Sequence, residues 1–364
     1  MTLIVPGHTA GLEDPGRIEV EGQIHVSHSE LKTYSRCPKQ HEYKYIDRLV
    51  PVRRARPLYL GSWLHAALQT HYQEGDWRIG HEIYKKEWDG LFEEERLALR
   101  KKGRALSPPL PEVVDRIIRS YKWYYRSDGW TVKVAEQKFS VPTPLWINGR
   151  QVWIDGIVDL VVQDEEGLWW AIDHKSASMI PDATSFHAMD PQLVLYPWAL
   201  KQQFGWDIAG VIYNYVKSRP PGIPQINKNG SLSRRKIVTD YPTAFRFLRD
   251  NGYDPNDFSE LLRPLQRRSP FLRRYRLPRS DFVTREVLSD ALAITKRIHE
   301  ERRRYRFVTR ECSTMCSYHD LCRAELNGLD TENMRKTQFT LKEKNGGSDS
   351  PDDEYTEDDE EPED

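Results

Sequence analysis

The sequence predicts an α/β domain in which a small mixed β-sheet is flanked by helices. Apolar residues in the first third of the 364-residue chain recur at helical spacing. Runs of β-branched and aromatic residues follow between residues 131 and 174, and another such run lies at 208–216. Helices, three strands, a helix and a strand in this order indicate a mixed sheet with helices packed on its faces.

Four helices are predicted ahead of the first long strand, at about 29–45, 61–73, 79–101 and 111–126. The fourth is the most distinct, because its apolar residues share one face; these are Val113, Val114, Ile117, Ile118, Tyr121 and Tyr125.

The three central strands are predicted at 131–141, 151–162 and 168–174. An acidic turn that ends in Gly167 joins the last two strands, so they are expected to form a hairpin. A helix that carries Gln192, Tyr196 and Leu200 follows, and the strand at 208–216 adds to the same sheet. A further helix is predicted at 284–305.

We expect one elaborated domain over 27–328, because a chain with 38% hydrophobic residues can bury one sizeable core. Its predicted parts are a helical region at 27–130, a core at 131–218, a basic insertion at 219–282 and a helix with a cysteine cluster at 283–328. Residues 1–26 are expected to form a loose arm. Residues 329–364 are expected to form a disordered acidic tail.

The net charge of -1 conceals a basic body. Eleven of the 55 acids lie between Ser348 and Asp364, which leaves 44 acids against 54 Lys and Arg in the rest of the chain. Basic residues displace condensed counterions, so such a body suits a DNA partner. Candidate DNA contacts alternate with aromatic residues in the basic insertion; they are Arg267, Arg268, Arg273, Arg274 and Arg276. A solvated surface is the alternative interpretation of this run.

Three polar residues interrupt the apolar hairpin in a pattern that indicates chemistry. Asp159 ends the apolar stretch of one strand, and Asp173 and Lys175 end that of the other. Two carboxylates at one end of a sheet can hold a divalent cation that polarises a phosphate, and a Lys two residues after Asp173 points to the same face. The hairpin therefore predicts a metal-dependent phosphodiesterase site.

These residues resemble the PD-(D/E)-x-K nuclease superfamily, and in particular its RecB-like branch. Three further motifs carry the resemblance: Gly-Ser-Trp-Leu-His at 61–65, Gly-Ile-Val-Asp at 156–159 and Gln-Leu-Val-Leu-Tyr at 192–196. Val158 stands where the superfamily name has Pro. The resemblance implies a restriction-endonuclease-like core, with a mixed sheet between helices.

The same resemblance implies a role for each motif residue. The metal ligands would be His65, Asp159, Asp173 and the carbonyl of His174. Lys175 would orient or activate the attacking water and stabilise charge on the phosphate. Gln192 and Tyr196, one helical turn apart, would face the substrate, and Glu136 would be an additional acid near the metal.

Four cysteines form a second candidate site: Cys37 near the first helix, and Cys312, Cys316 and Cys322 near the end of the domain. This distribution favours metal binding over a disulfide framework. Four thiolates suit a [4Fe-4S] cluster or zinc, and unligated buried thiols are a further alternative. The resemblance favours iron, because RecB-like nucleases of the AddB and CRISPR-associated types carry one cysteine before the core and three after it. Three residues separate Cys312 from Cys316, where those relatives have two.

The sequence thus predicts a Mg²⁺- or Mn²⁺-dependent DNA exonuclease that acts at DNA ends in recombination, repair or phage DNA metabolism. A catalytically silent DNA-binding scaffold and a restriction-type endonuclease are the alternatives. The chain has no phosphate-binding loop of the Gly-x-x-x-x-Gly-Lys type, so unwinding would come from a helicase or a recombination partner. No signal peptide or apolar span is visible, so we expect a cytoplasmic protein of a bacterium or a phage-infected cell, without a membrane partner.

Overall fold

A computed structural model describes residues 22–102, 105–181, 189–227, 233 and 238–342. The N-terminal region is mainly helical. Its elements are β1 (Gln23–Ser27), α1 (His28–Arg36), α2 (Pro38–His41), a π-helix (Glu42–Ile46), β2 (Leu49–Pro51), α3 (Arg56–Glu74), α4 (Arg78–Gly90), α5 (Glu93–Arg100), β3 (Lys101–Lys102), β4 (Ala105–Leu106) and α6 (Leu110–Tyr124).

The central and C-terminal regions supply most of the sheet and the helices of its second face. The elements are β5 (Thr131–Ile147), β6 (Arg150–Gln163), β7 (Trp169–Ala177), α7 (Pro191–Phe204), β8 (Ile208–Lys217), α8 (Tyr241–Asp250), a 3-10 helix (Pro255–Phe258), α9 (Ser259–Arg267), β9 (Leu272–Pro278), α10 (Asp281–Glu300), α11 (Cys312–Met315), α12 (His319–Leu326), α13 (Glu332–Gln338) and β10 (Phe339–Leu341).

The main sheet is mixed. Its order is β1-β6-β7-β8-β9, and β5 also pairs with β6. The β1–β6 and β7–β8 pairs are parallel, whereas β5–β6, β6–β7 and β8–β9 are antiparallel. The predicted mixed sheet flanked by helices is confirmed, as is the hairpin of β6 and β7.

One strand, β6, determines where the sheet opens. Its first half pairs with β1 up to the Ser27–Asp155 pair, and its second half pairs with β7 from Leu160 and Ile172 onward. Beyond Ile172, β7 continues beside β8. Between them, β1 and β7 therefore leave an opening along residues 156–159 of β6.

Each face of the sheet packs against its own helical layer. On one face, Val158, Ala171 and Tyr213 pack with apolar residues of α1, α7 and α10. On the other face, Leu160 and Ile172 pack near Tyr72 of α3, and α3, α4 and α6 form a neighbouring core. The central strands β6, β7 and β8 are thus buried on both sides over most of their length.

Glu136 and Asp159 lie at a local irregularity of the β5–β6 pair. Ala135 pairs with Leu160 and Gln137 with Val158, so Glu136 lies opposite Asp159. The Glu136 φ of 54° is left-handed, which is uncommon for a residue with a side chain. Such strain at a polar position of a strand is typical of functional sites.

The predicted helix at 29–45 is interrupted at Cys37, where α1 ends and α2 begins, and the structure differs from the predicted boundaries in four further places. The strand β1 lies within the predicted loose arm, and β9 lies within the basic insertion as a strand of the sheet. The elements α13 and β10 lie within the predicted tail, and β10 pairs with β2 through Leu341 and Leu49. The predicted helix at 79–101 is two helices, because Gly90 ends α4 and the Glu95 carboxylate accepts from the Phe92 N–H at the next start.

Three of these differences concern β1, β9 and β10. Each of these strands pairs with a strand that is distant in sequence, which a local pattern cannot show. The acids at 349–364 and residues 1–21 lie outside the described residues. None of the helices in the described part of the chain combines the length and apolar character that a membrane crossing requires.

Candidate active site at the opening of the sheet

Asp159 lies where β6 and β7 separate. Its Oδ2 accepts a hydrogen bond of 2.6 Å from the His174 N–H. This bond continues the contact between the two strands after their ladder has ended. The same Oδ2 is 3.5 Å from Nδ1 of His65, so helix α3 brings an imidazole to the carboxylate. Asp159 is 8% exposed, and a buried carboxylate with these neighbours suits cation binding.

Asp173 and Lys175 point to the face of the sheet that packs against α7. Lys175 Nζ is 3.3 Å from Asp173 Oδ2 and donates a 2.9 Å hydrogen bond to Gln192 Oε1. An ammonium only donates, so it fixes the Gln192 amide with its oxygen toward Lys175. Nε2 of Gln192 then donates a 2.7 Å bond to the Tyr196 hydroxyl. The structure thus joins Lys175, Gln192 and Tyr196 in one hydrogen-bonded chain, and an ion pair connects Asp173 to its lysine end.

Asp190 holds the helix that carries Gln192, and the sequence interpretation missed it. Its Oδ1 accepts from the Gln192 N–H at 3.0 Å as an N-cap, and its Oδ2 accepts from the Tyr213 hydroxyl. Burial, followed by the charges of Asp190 and Asp173, raises the pKa of Tyr213. The pair Asp190-Pro191 was a visible signal, since Asp at the cap and Pro in the first turn mark a helix start.

The glycine of the 156–159 motif permits a close approach by an aromatic ring. A Cβ on Gly156 would lie 2.4 Å from Cζ of Phe139 on the neighbouring strand. The Phe139 ring is in turn 6.1 Å from the Tyr196 ring, with an interplanar angle of 77°. Gly156 therefore lets Phe139 support the Tyr196 end of the hydrogen-bonded chain.

Glu136 lies beside Asp159, as the motif comparison predicts. Burial, followed by the charge of Asp159, raises the pKa of Glu136 well above its ordinary value. Two carboxylates so close cannot both be charged at low cost without a cation. A cation bound between the two carboxylates would offset this cost.

His65 reaches the site because α3 crosses the opposite face of β7. Gly61 lies next to Ser176, where a Cβ would be 3.5 Å from Oγ of that residue. One turn later, the His65 ring meets the His174 ring edge to face at 6.0 Å. Burial, followed by the positive character of His65, Arg274 and His71, lowers the pKa of His174 well below its ordinary value. The His174 side chain is thus a neutral, buried group.

The five predicted DNA contacts do not share one environment. Arg267, Arg268 and Arg276 are exposed, and Arg273 is half-buried. Arg274 is turned inward, where its guanidinium donates to Asp128 Oδ1 at 2.7 Å and Oδ2 at 3.1 Å. Arg274 therefore differs from the surface contact that the composition predicted, because the strand β9 places it over the helical layer. The sequence run could not show which arginine faces inward.

Three of the four cysteines contact one segment without regular secondary structure, residues 306–309. Cys37 Sγ accepts from the Phe307 N–H at 3.4 Å, Cys312 Sγ accepts from the Thr309 N–H at 3.4 Å, and Cys322 Sγ accepts from Arg306 Nε at 3.3 Å. Burial, followed by the nearby Cys312 and Cys37, raises the pKa of the Cys316 thiol to about 11. All four are free thiols.

The donor atoms at both sites fit metals, but the side chains are not closed around one. Carboxylates with an imidazole suit Mg²⁺ or Mn²⁺, and four thiols suit iron or zinc. Over the described ranges, however, no three His, Cys, Asp or Glu side chains converge as a metal site. The residues fit a metal in the type of donor atoms that they offer and in their proximity to one another.

Two solved structures are similar to this chain at low sequence identity. A structure described as a putative exonuclease from Eubacterium rectale is 12% identical, with a TM-score of 0.39 over 75% of this chain and 79% of that chain. The structure of SSO0001 is 12% identical, with a TM-score of 0.32 over 84% of this chain and 88% of that chain. A search of the curated proteins finds no match. The family model of the PD-(D/E)XK nuclease superfamily matches residues 25–323, which include the opening and all of the main sheet except Gln23 and Ile24. The chain belongs to the PD-(D/E)XK nuclease superfamily.

Proposed function

We propose that this nuclease is a Mg²⁺- or Mn²⁺-dependent DNA exonuclease that hydrolyses phosphodiester bonds at DNA ends. The observation that carries the proposal is the position of Asp159, Asp173 and Lys175 at the opening of the sheet. Lys175 lies 3.3 Å from Asp173 and is oriented by Gln192. Nucleases of this superfamily generally use divalent metals such as Mg²⁺.

His65, Asp159 and Asp173 would hold the metal, together with the carbonyl of His174. When bound, the cation would polarise the phosphate and lower the pKa of the attacking water. Asp159 is suited to this role because the His174 N–H already fixes one of its oxygens at 2.6 Å. Glu136, opposite Asp159, adds a carboxylate whose charge the cation would offset.

Lys175 would act on the phosphate and on the water. Its ammonium stabilises the negative charge that develops on the phosphate oxygens, and a charge placed in a largely buried site is more effective than one in water. Gln192 and Tyr196 keep this ammonium beside Asp173, which prevents it from moving to another rotamer. Water is the nucleophile in this mechanism, so no covalent enzyme intermediate forms.

We propose a preference for DNA ends because the motifs of this chain resemble those of RecB-like nucleases. The exposed Arg267, Arg268 and Arg276 offer charges for the DNA backbone. By the same resemblance, we propose a setting in DNA recombination, repair or phage DNA metabolism, with a separate helicase or recombination protein as partner.

The test is cleavage of end-labelled linear DNA beside a covalently closed circle, with Mg²⁺ or EDTA, by the wild type and Asp173→Ala. Metal-dependent loss of the linear DNA alone, absent in the variant, is the expected result. Equal cleavage of both substrates would instead support a restriction-type endonuclease. No cleavage by the intact protein would support the DNA-binding scaffold.

We also propose that Cys37, Cys312, Cys316 and Cys322 hold a [4Fe-4S] cluster that joins the two ends of the domain. Support comes from N–H groups of residues 306–309 directed at the sulfurs of Cys37, Cys312 and Cys322, and from the proximity of Cys316 to Cys312 and Cys37. Hydrogen bonds of this kind tune iron–sulfur clusters.

Iron and sulfide analysis of protein purified without oxygen tests this assignment. Cys316→Ser should remove the brown colour and lower the melting temperature. A colourless, folded wild type that contains stoichiometric zinc would show that the cysteines bind zinc and not an iron–sulfur cluster.

A further inference from the structure

A row of three polar residues crosses the sheet behind the site. In the ladders of β8, His174 is in register with Asn214, and Asn214 is in register with Arg274. Residues in register on adjacent strands are nearest neighbours on one face of a sheet. The row therefore connects Arg274 to the residue between Asp173 and Lys175.

Arg274 fixes the orientation of the Asn214 amide. Arg274 Nε donates a 3.0 Å hydrogen bond to Asn214 Oδ1. A guanidinium has no acceptor, so only the amide oxygen can face it. Nδ2 of Asn214 must then point the other way, where it lies 2.6 Å from His174 Nδ1 and donates to the Tyr121 hydroxyl at 2.9 Å. His174 Nδ1 is consequently the acceptor.

Arg274 itself is immobilised on several sides. Asp128 takes two of its hydrogen bonds, and the rings of Tyr125 and Trp130 lie 3.4 Å and 4.0 Å from the guanidinium carbon. A bidentate ion pair between aromatic rings has little freedom to rotate. The orientation of Asn214 is therefore set by a rigid group.

The far end of the row is the main chain of the candidate site. The His174 N–H donates to Asp159, and the His174 side chain lies on the opposite face from Asp173 and Lys175. Asn214 is fully buried, and His174 is 4% exposed. Holding the His174 ring thus holds the main chain from which both functional side chains extend.

We propose that Asn214, oriented by Arg274, is a positioning residue that fixes residues 173–175 relative to Asp159. This inference rests on the proposed nuclease function of the site. Groups that orient metal-binding side chains typically affect metal affinity or activity by about 10- to 100-fold when they are removed. The predicted consequence of losing the amide is a displaced His174 main chain in an otherwise folded protein.

The test compares Asn214→Leu, which is close in shape and lacks the amide, with Thr143→Val. Thr143 is a matched control because it is 2% exposed, donates a 2.9 Å hydrogen bond to the Val152 carbonyl and lies in the same sheet away from the opening. Amide hydrogen exchange is measured in EDTA, and cleavage of linear DNA is measured in saturating Mg²⁺.

Asn214→Leu should accelerate exchange of the His174 amide by about 10-fold or more and lower kcat by about 10-fold, with the DNA KM within about threefold of wild type. Thr143→Val should leave all three unchanged. If the leucine variant does not fold, Arg274→Lys takes its place, because a lysine keeps the charge beside Asp128 but lacks the planar fork. It should show the same pattern.

The two proposals fail in different ways. A wild type that does not cleave DNA rejects the nuclease function, while exchange in EDTA still decides the role of Asn214. A wild type that cleaves, with a folded Asn214 variant of equal kcat and equal His174 exchange, rejects the positioning role alone.

Discussion

The two faces of strand β7 have opposite characters although their residues alternate along one short segment. On one face, Asp173 and Lys175 meet Gln192 at the opening of the sheet. On the other face, His174 meets Asn214 and, through it, Arg274 in a buried network. The first face places charged groups at the opening of the sheet, whereas the polar groups of the second face are hydrogen-bonded to one another.

This difference shows how one strand can separate the proposed catalytic groups from the groups proposed to position them. A strand points successive side chains to opposite faces, so Asp-His-Lys places two charged residues together and the residue between them behind the sheet. Only the main chain of His174 takes part on the front, through its hydrogen bond to Asp159. We expect substitutions on the front to affect chemistry and those behind to affect stability or geometry.

The largest expected effect is on the front face. Lys175→Ala should reduce kcat by about 100- to 1,000-fold, because the charge that stabilises the phosphate is lost from a largely buried site. DNA binding should change little, and gel-shift and cleavage assays would measure the two properties separately. Lys201→Ala is the control, since Lys201 is an exposed lysine on α7. Loss of DNA binding together with cleavage would show that Lys175 is a structural residue.

A second prediction separates Arg274 from the arginines on the surface. Arg274→Ala should cost about 3 kcal/mol of stability, because Asp128 would lose its partner in a buried setting. The salt dependence of DNA binding should stay the same.

The double variant Arg267→Ala with Arg268→Ala should lower the salt dependence of DNA binding and leave the stability unchanged. Each exposed arginine that contacts phosphate contributes about one unit to the slope of log affinity against log salt. Thermal unfolding and salt titrations measure both properties. A lower slope for Arg274→Ala would mean that this residue contacts DNA after all.

The smallest expected effect tests the support behind Tyr196. Gly156→Ala should displace the Phe139 ring and lower kcat by up to about 10-fold through the misplaced chain of Tyr196 and Gln192. Adding Phe139→Leu to the Gly156→Ala variant should restore part of the rate, because the smaller leucine side chain makes room for the alanine methyl group. Gly90→Ala, at a helix end with open space, is the matched control. An unchanged rate in Gly156→Ala would remove Phe139 from the support of the site.

Much of the front face could be predicted because its signals are local. Runs of β-branched and aromatic residues identified β6 and β7, and the interruption by Asp173 and Lys175 marked the polar end of β7. Motif spacing also placed Gln192 and Tyr196 on one helix, where Gln192 is hydrogen-bonded both to Tyr196 and to Lys175. Within about one helical turn, sequence separation fixes distance.

The network behind the sheet could not be predicted in this way. His174, Asn214 and Arg274 are far apart in sequence, and only the pairing of β8 with β7 and β9 brings them together. Arg274 belonged to a basic run whose composition indicates DNA binding, but an inward direction depends on the pairing of β9. The same reason accounts for β1, which joined the sheet through a parallel partner more than one hundred residues away.

The sequence by itself determined the type of domain, the order of its central elements and the charged residues of the hairpin, since periodicity and spacing act over a few residues. The tertiary structure decided where β6 loses one partner and gains another, which face of the sheet each arginine occupies, and which side chains hold His174. These features depend on contacts between distant strands, and the energy of burying a polar group is set by the partner that the fold supplies.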